Sequence, residues 1–448
     1  MGSKSVTILG AGLAGLSTAW HLQKAGSSCH VYEKEPEPGG LCRSRNIKGF
    51  VFDCDGHLLH FRHKEAFSLV KELLGDNLVQ HRRNSWVSHD GRMVRYPFQA
   101  NLFGLPRPVL RECLAGFISA RRDGCLPSRQ NFLEWIEGTF GEGIARHFMV
   151  PYNTKFWTIP PQQMTAEWLD GFVPQPSMDR VIDGAVHDNR RLLGYNSHFW
   201  YPRKGGIGEL AAAFSRNVKN IHTGFQVKAI DIRRRRIIFG NGVSRRFDEL
   251  VSTIPLPELG AMIPDLPEDI ERAFGRLRWN SIFNLNLGLR QRNPSAKHWI
   301  YFPQEKVSFF RVGFFHNFSE GLVPAGRSSL YVEVSYSRLR PLDKASIHVR
   351  IEKDLRKVGL LEEGDAIECR DVNDIRYGYP IYDHHYASAR MQILDFLRWH
   401  DIIPCGRYGG WRYMSMEDVI LEGRDVAHRL IKYPDKTARV IKQSEAGQ

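Results

Sequence analysis

Val6-Thr7-Ile8-Leu9-Gly10-Ala11-Gly12-Leu13-Ala14-Gly15-Leu16-Ser17 decides the fold of this chain. A short β-branched and apolar run reads as a buried strand. It enters Gly10-x-Gly12-x-x-Gly15, and a helical pattern follows. Gly10 permits the tight turn. Gly12 lets backbone N–H groups approach a pyrophosphate. Gly15 lets the helix pack close to the strand, its positive end toward the phosphates. Val31-Tyr32-Glu33 reads as the end of a second strand. Glu33 falls about 20 residues after the glycines, where a carboxylate can accept from a ribose hydroxyl. The stretch predicts an α/β dinucleotide-binding unit.

Pro38-Gly39-Gly40-Leu41-Cys42-Arg43-Ser44 follows at once. A glycine pair gives close backbone approach, and the arginine supplies a guanidinium for an anion. This arrangement resembles the second fingerprint of FAD-binding flavoproteins of the amine oxidase and glutathione reductase type. The resemblance implies FAD, with Gly10, Gly12, Leu13, Ala14, Gly15, Glu33, Lys34, Gly40, Leu41 and Arg43 along it.

A chain of 448 residues can bury a large core and divides naturally into two or three domains. Hydrophobic content of 42% and charged content of 25% are ordinary for a soluble protein. No apolar run approaches the roughly 18 residues of a membrane span. The first strand begins within about five residues of the start, too early for a signal peptide. Seven cysteines without a CxxC pair fit a reducing compartment, and a cytoplasmic location is expected. The net charge of +13 suits a polyanionic small substrate such as a nucleotide diphosphate. No nucleic-acid-binding module is present. Arg233 to Arg236, between Ile230-Asp231-Ile232 and Ile237-Ile238-Phe239, reads as the solvated end of a hairpin. Nothing in the sequence speaks to oligomeric state.

The dinucleotide-type signals recur in three blocks. Residues 1–95, 200–265 and 395–448 are expected to form a discontinuous Rossmann-type FAD-binding domain. Residues 96–199 carry long amphipathic patterns and aromatic loops and are expected to form a helical substrate domain. Residues 266–394 are rich in strand patterns. Ser281 to Leu289 alternates apolar and polar, as a half-buried antiparallel strand does. The expected class is α/β, with a helical and an antiparallel-sheet insertion meeting at the flavin. The residues after about 436 read as a frayed tail.

Further motifs narrow the chemistry. In chain order they are Phe52-Asp53-Cys54-Asp55-Gly56-His57, Tyr96-Pro97-Phe98-Gln99, Pro151-Tyr152-Asn153-Thr154-Lys155-Phe156-Trp157 and Trp168-Leu169. Then come Tyr195-Asn196-Ser197-His198, Trp299-Ile300-Tyr301, Phe309-Phe310-Arg311, Gly378-Tyr379-Pro380 and Gly406-Arg407-Tyr408 through Tyr413. This ordered set resembles the UDP-galactopyranose mutases, the eukaryotic type more than the short bacterial one, over essentially the whole chain. The resemblance implies a pyranose–furanose mutase of a nucleotide sugar. N5 of reduced FAD attacks the anomeric carbon, UDP leaves and returns, and no net redox occurs. NAD(P)H is the implied external reductant.

Position by position, the resemblance implies that Arg311 holds the diphosphate, with phenolic donors from Tyr301, Tyr379 and Tyr413. Tyr96, Gln99, Asn153 and Trp157 would line the nucleotide pocket, and Asn196 would reach substrate from a mobile loop. Gly56 and His57 would face the flavin. Arg407 and Gly406 would meet the FAD pyrophosphate, Val227 the adenine, and Met416 would complete the cofactor wall. One position departs from the family. A second diphosphate-binding arginine is expected shortly after Trp168-Leu169, and Phe172 stands there. This leaves open another nucleotide sugar, or a substrate with one phosphate or a carboxylate. Arg311, set among Phe309, Phe310, Phe314 and Phe315, requires either an anionic substrate or a carboxylate partner. No metal site is expected, although His57, His60 and His63 are close in sequence. The alternatives are an oxidase or desaturase of the amine oxidase or protoporphyrinogen oxidase type, and a non-catalytic flavin-fold protein.

Overall fold

A strand covered on both faces needs a continuous apolar run, and all four residues of Val6–Leu9 are buried. The structure, a computed structural model, describes residues 6–122, 127–169, 173–190, 193–194, 196–293, 295–364 and 366–432. Phe172, Tyr195 and the expected frayed tail lie outside the described residues.

Val6–Leu9 is the middle strand of a five-stranded sheet. The order is Ile402–Pro404, Glu249–Ser252, Val6–Leu9, Cys29–Tyr32, Ile221–His222. Every pairing in it is parallel. The strand that follows Val6–Leu9 in sequence lies on one side of it and a late strand on the other. The carboxyl end of such a strand is where open α/β sheets bind ligands. Helix Leu13–Lys24 rises from that end. A Cβ on Gly15 would sit 2.0 Å from the Gly10 carbonyl oxygen, so only glycine lets this helix start so close to the strand.

The second sheet has seven strands. In order they are Ile367–Pro380, Trp279–Leu289, Ser328–Tyr336, Arg311–Gly313, Trp299–Tyr301, Ser85–His89 and Arg92–Arg95. It is antiparallel except where Trp299–Tyr301 runs parallel to Ser85–His89. Residues 85–95, grouped by sequence with the dinucleotide-binding part, therefore extend this sheet instead. Nothing local to Ser85–His89 reveals a partner more than 200 residues away. The arginine run fills the turn between Val227–Asp231 and Arg236–Phe239. Arg233, Arg234 and Arg236 are exposed there, whereas Arg235 turns back to pair with Asp401. Among the described residues no helix is long and apolar enough to cross a membrane.

Helices Arg107–Arg122 and Phe132–Ile144 pack on one another, Met178–Val186 packs on the first of them, and Val150–Trp157 lies against strand Ser328–Tyr336 of the seven-stranded sheet. Helix Val150–Trp157 is stitched to that sheet from both sides. The Lys155 Nζ donates to the carbonyls of Phe302 at 3.1 Å and Gln304 at 2.7 Å. Asn280 Nδ2 donates to the Phe156 carbonyl at 2.6 Å, and Asn280 Oδ1 accepts from Tyr379 N–H at 2.8 Å. These bonds fix the helix against the strands that carry Tyr301 and Tyr379.

Lys155 is only 3% exposed, and burial pushes its ammonium down to about 7. A neutral amine still has two N–H donors for the two carbonyls. The unfolded chain holds this proton to about pH 10.4, so between about pH 7 and 10 it binds more protons than the folded chain. Stability should rise with pH across that window. In Lys155→Met this rise should be lost, as read by urea unfolding at several pH values. An identical rise in the variant would exclude Lys155 as its source.

Candidate active site

A single cavity of about 960 Å³ runs from the carboxyl end of the parallel sheet to the face of the seven-stranded sheet. At its first end the two glycine loops touch. Gly39 N–H donates to the Ala11 carbonyl at 2.8 Å, and the Cβ that Gly40 lacks would lie 3.1 Å from Gly12 Cα. Gly40 has φ +57°, in the left-handed region that favours glycine. Gly10, Gly12, Leu13, Ala14, Lys34, Gly40, Leu41 and Arg43 all line the cavity here. Gly15 does not; it sits behind them, under the helix.

Glu33 is 6% exposed and does more than sequence reading expects. Its Oε2 accepts from Ala11 N–H at 2.7 Å and its Oε1 from Glu35 N–H at 3.0 Å. The carboxylate thus holds the glycine turn in shape, with lone pairs remaining for a hydroxyl. Arg43 donates through Nε to the Gly40 carbonyl at 2.8 Å and so stiffens its own loop. Val227 lines the far end beside Phe225 and Tyr32, and Met416 lines the side, its sulfur 3.6 Å from that of Cys42. Burial pushes the Cys42 and Cys405 thiols up to about 12, which suits packing residues and not nucleophiles.

Midway, Gly406 and Arg407 meet the tyrosines. The Arg407 guanidinium lies 4.3 Å from the Tyr379 ring centre and 5.0 Å from that of Tyr413. Its Nη2 donates to the Gly378 carbonyl at 3.3 Å, while its buried Nε has no partner. A buried guanidinium N–H left unsatisfied on a cavity wall fits an anionic ligand. Gly56 and His57 line the same stretch. Burial lowers the His57 imidazole below its usual range, opposed by Asp55 and reinforced by Arg407 and Arg311. His57 is therefore neutral near pH 7.

At the second end Tyr96, Asn153, Trp157, Asn196, Tyr301, Arg311, Tyr379 and Tyr413 all reach the wall. Tyr301 packs on Tyr96 at 4.9 Å and on Tyr152 at 5.4 Å between ring centres. Burial raises the phenols of Tyr96, Tyr301 and Tyr379, so they stay protonated and can donate. Trp157 is both wall and core: it is 2% exposed, yet its Nε1 has no partner. Asn153 spends its Nδ2 on the Met149 carbonyl at 2.7 Å. Gln99 does not reach the cavity; it is buried beneath it and donates to the Pro174 carbonyl at 2.9 Å.

Three features escape sequence reading. Arg311 is held by Glu333, its Nε and Nη2 both donating to the carboxylate, the second at 2.6 Å. Glu333 is fully buried and stands directly opposite Arg311 across the strands. A carboxylate inside Leu330-Tyr331-Val332-Glu333-Val334 was the available signal. Second, Arg83 donates to the Leu193 carbonyl at 2.9 Å and to both oxygens of Asn196, so it pins the loop expected to be mobile. Third, Tyr152 and Phe156, present in the Pro151–Trp157 motif but given no role there, complete the aromatic wall.

Residues 13–431 match the flavin-containing amine oxidoreductases. The chain belongs to this family. It superposes on a crystal structure of reduced UDP-galactopyranose mutase with a TM-score of 0.92 at 28% identity, over 98% of this chain and 96% of that one. A zeta-carotene-forming phytoene desaturase of Myxococcus xanthus is 22% identical over 400 residues, 75% of this chain and 73% of that protein. The inactive all-trans-retinol 13,14-reductase of Danio rerio is 33% identical over 75 residues, 16% of this chain; the match spans 12% of that protein. A flavin cofactor follows from family membership, and the touching glycine loops, Glu33 and the unsatisfied Arg407 Nε fit FAD.

Arg407→Ala should purify folded but with its flavin largely lost, as measured by the ratio of visible to ultraviolet absorbance. Full retention of flavin would remove Arg407 from the cofactor site.

Proposed function

We propose that the protein is a pyranose–furanose mutase of a UDP-galactose-like nucleotide sugar, acting with reduced FAD and without net redox change. The carrying observation is Arg311, ringed by the phenols of Tyr301 and Tyr379 in a cavity continuous with the dinucleotide cleft. The likeness to a UDP-galactopyranose mutase at 28% identity over nearly the full length supports the same reading. Reduced flavin, when bound, supplies a nucleophile for the anomeric carbon.

The chain's own residues have two tasks. They hold the diphosphate while it is detached, and they keep the sugar in place until it returns. Neutral phenols donate hydrogen bonds to phosphate oxygens without adding charge. Arg311 offers a fork, although Glu333 already takes two of its N–H groups. Its remaining donors are the ones left for a ligand. The aromatic wall of Tyr152, Phe156 and Trp157 excludes water from the detached sugar. Phe172, in place of the family's second arginine, bears on which nucleotide sugar is taken.

A second reading has a specific observation behind it. The Glu333 carboxylate cancels the charge of Arg311, and the Myxococcus xanthus relative is a desaturase. An oxidase or desaturase needs no diphosphate site.

Incubating the dithionite-reduced or NAD(P)H-reduced holoprotein with UDP-galactopyranose and UDP-galactofuranose separates the two. The mutase reading expects interconversion by reduced protein and none by oxidised protein, followed by chromatography. An inert reduced protein, with oxidised protein consuming oxygen on an amine, porphyrinogen or polyene, would overturn it. Arg311→Lys keeps the charge opposite Glu333 but loses the fork. Its UDP affinity should fall about tenfold, equivalent to one charge-assisted bond, with flavin content unchanged. Unchanged affinity by calorimetry would contradict the role given to Arg311.

A further inference from the structure

Arg407 and Tyr413 both sit on the stretch Gly406–Tyr413, and that stretch contains a strained turn. Trp411 has φ +50°, a left-handed conformation that a bulky residue rarely holds. Such a conformation persists only where the surroundings over-determine it. One determinant is the ring itself. Trp411 is fully buried, its ring centre 5.9 Å from that of Tyr377 and 6.0 Å from that of Trp279. Another is the parallel sheet beneath. A Cβ on Gly409 would lie 2.5 Å from the Ser252 carbonyl oxygen, so the turn is pressed against strand Glu249–Ser252. Within the turn, Gly410 N–H donates to the Gly406 carbonyl at 2.8 Å and Arg412 N–H to the Arg407 carbonyl at 3.0 Å. These bonds tie the turn to Arg407.

The other side of the turn is gripped by three side chains, those of Tyr382, Tyr386 and Arg390. They are spaced four residues apart, so helix Tyr386–Trp399 and the turn leading into it present them as one stripe. The Tyr382 hydroxyl accepts from Tyr413 N–H at 2.5 Å. The Tyr386 hydroxyl donates to the Trp411 carbonyl at 2.5 Å. Arg390 Nε donates to the Gly410 carbonyl at 2.6 Å. Backbone groups on both sides of the strained residue are thus met by side chains of one element. All three side chains stand behind the cavity wall, whereas Arg407, Tyr408 and Tyr413 line it. The Tyr382 ring also stacks on Trp168, another lining residue, at 5.6 Å between centres.

We propose that Tyr382, Tyr386 and Arg390 are positioning residues: together they hold the strained Trp411 turn, and the turn sets where Arg407 and Tyr413 stand against Tyr379. The Arg407 guanidinium lies 4.3 Å from the Tyr379 ring centre, and the Tyr413 ring stacks on that of Tyr379 at 6.0 Å. Released on one side, the turn relaxes Trp411 toward an ordinary φ and carries both residues off the cavity wall. For Arg407 the consequence falls on the flavin. For Tyr413 it falls on the diphosphate, and that part rests on the mutase reading.

Three variants of the holoprotein test the brace. Tyr386→Phe keeps the ring and loses the hydroxyl. Arg390→Met keeps the chain and loses the donor, and Arg390→Lys restores a donor. Flavin release, followed by fluorescence, should quicken about three- to tenfold in Tyr386→Phe and Arg390→Met, the effect of losing one buried hydrogen bond. It should return toward the parent rate in Arg390→Lys. Amide hydrogen exchange should quicken over residues 406–413 and stay unchanged over Val150–Trp157. Unchanged release in both Tyr386→Phe and Arg390→Met, or an Arg390→Lys no better than Arg390→Met, overturns the brace. Exchange that quickens equally in both segments also overturns it, because it marks a general loss of stability. UDP affinity of flavin-saturated protein, read by calorimetry, should fall by a similar factor in Tyr386→Phe and Arg390→Met. Unchanged UDP affinity beside quickened flavin release overturns the part given to Tyr413. A parent that binds no UDP, with flavin release following the expected pattern, supports the brace and overturns the mutase reading instead.

Discussion

A guanidinium taken out of water needs compensation, and one end of this cavity is arranged around the carboxylate that supplies it to Arg311. Arg311 and Glu333 stand opposite one another on adjacent strands, and Glu333 is fully buried. Breaking a buried pair by removing one partner typically costs about 3–5 kcal/mol. The pair therefore constrains the register of the seven-stranded sheet as well as the chemistry of the cavity. With the register set, Tyr301 falls on the next strand and Tyr152 across from it, and the aromatic wall closes around the guanidinium.

The parallel sheet supplies the other half of the site by simpler means. Backbone approach, more than side-chain chemistry, shapes its end of the cavity. The Gly12 and Gly40 loops touch, and Glu33 holds the turn through two backbone N–H groups. Between the two halves, Arg407 is packed against Tyr379 and Tyr413, so one guanidinium borders both regions. Helix Val150–Trp157, bonded through Lys155 and from Asn280, keeps the wall at a fixed distance from the strands.

What the sequence made legible was local. The strand, glycine turn and helix at residues 6–24 occupy adjacent positions, and their spacing carries the fold class. Strand Trp279–Leu289 could be located from its alternation, but the half-exposed face that the alternation implied is absent: Asn280 through Leu289 are all buried. Partnerships between distant residues could not. Ser85–His89 joins the second sheet because Trp299–Tyr301 lies beside it, and no local pattern announces that. Glu333 was visible as a misplaced carboxylate, but its pairing with Arg311 depends on register. Gln99 follows a pocket-lining tyrosine in sequence, yet its amide is drawn to Pro174 and away from the cavity. Arg83 lies in none of the recognisable motifs and is the residue that holds Asn196.

The same scaffold serves proteins that oxidise and proteins that rearrange, so fold and cofactor leave the reaction undecided. The decision rests on whether the Arg311 end of the cavity holds a diphosphate while the bond to the sugar is broken. Positional isotope exchange in UDP-galactose, heavy oxygen placed in the bond between the sugar and the β-phosphate, reads that event directly. The account predicts that the label scrambles among the β-phosphate oxygens with reduced holoprotein and stays in place with oxidised holoprotein. A label that remains fixed with reduced, UDP-galactose-saturated protein would contradict it.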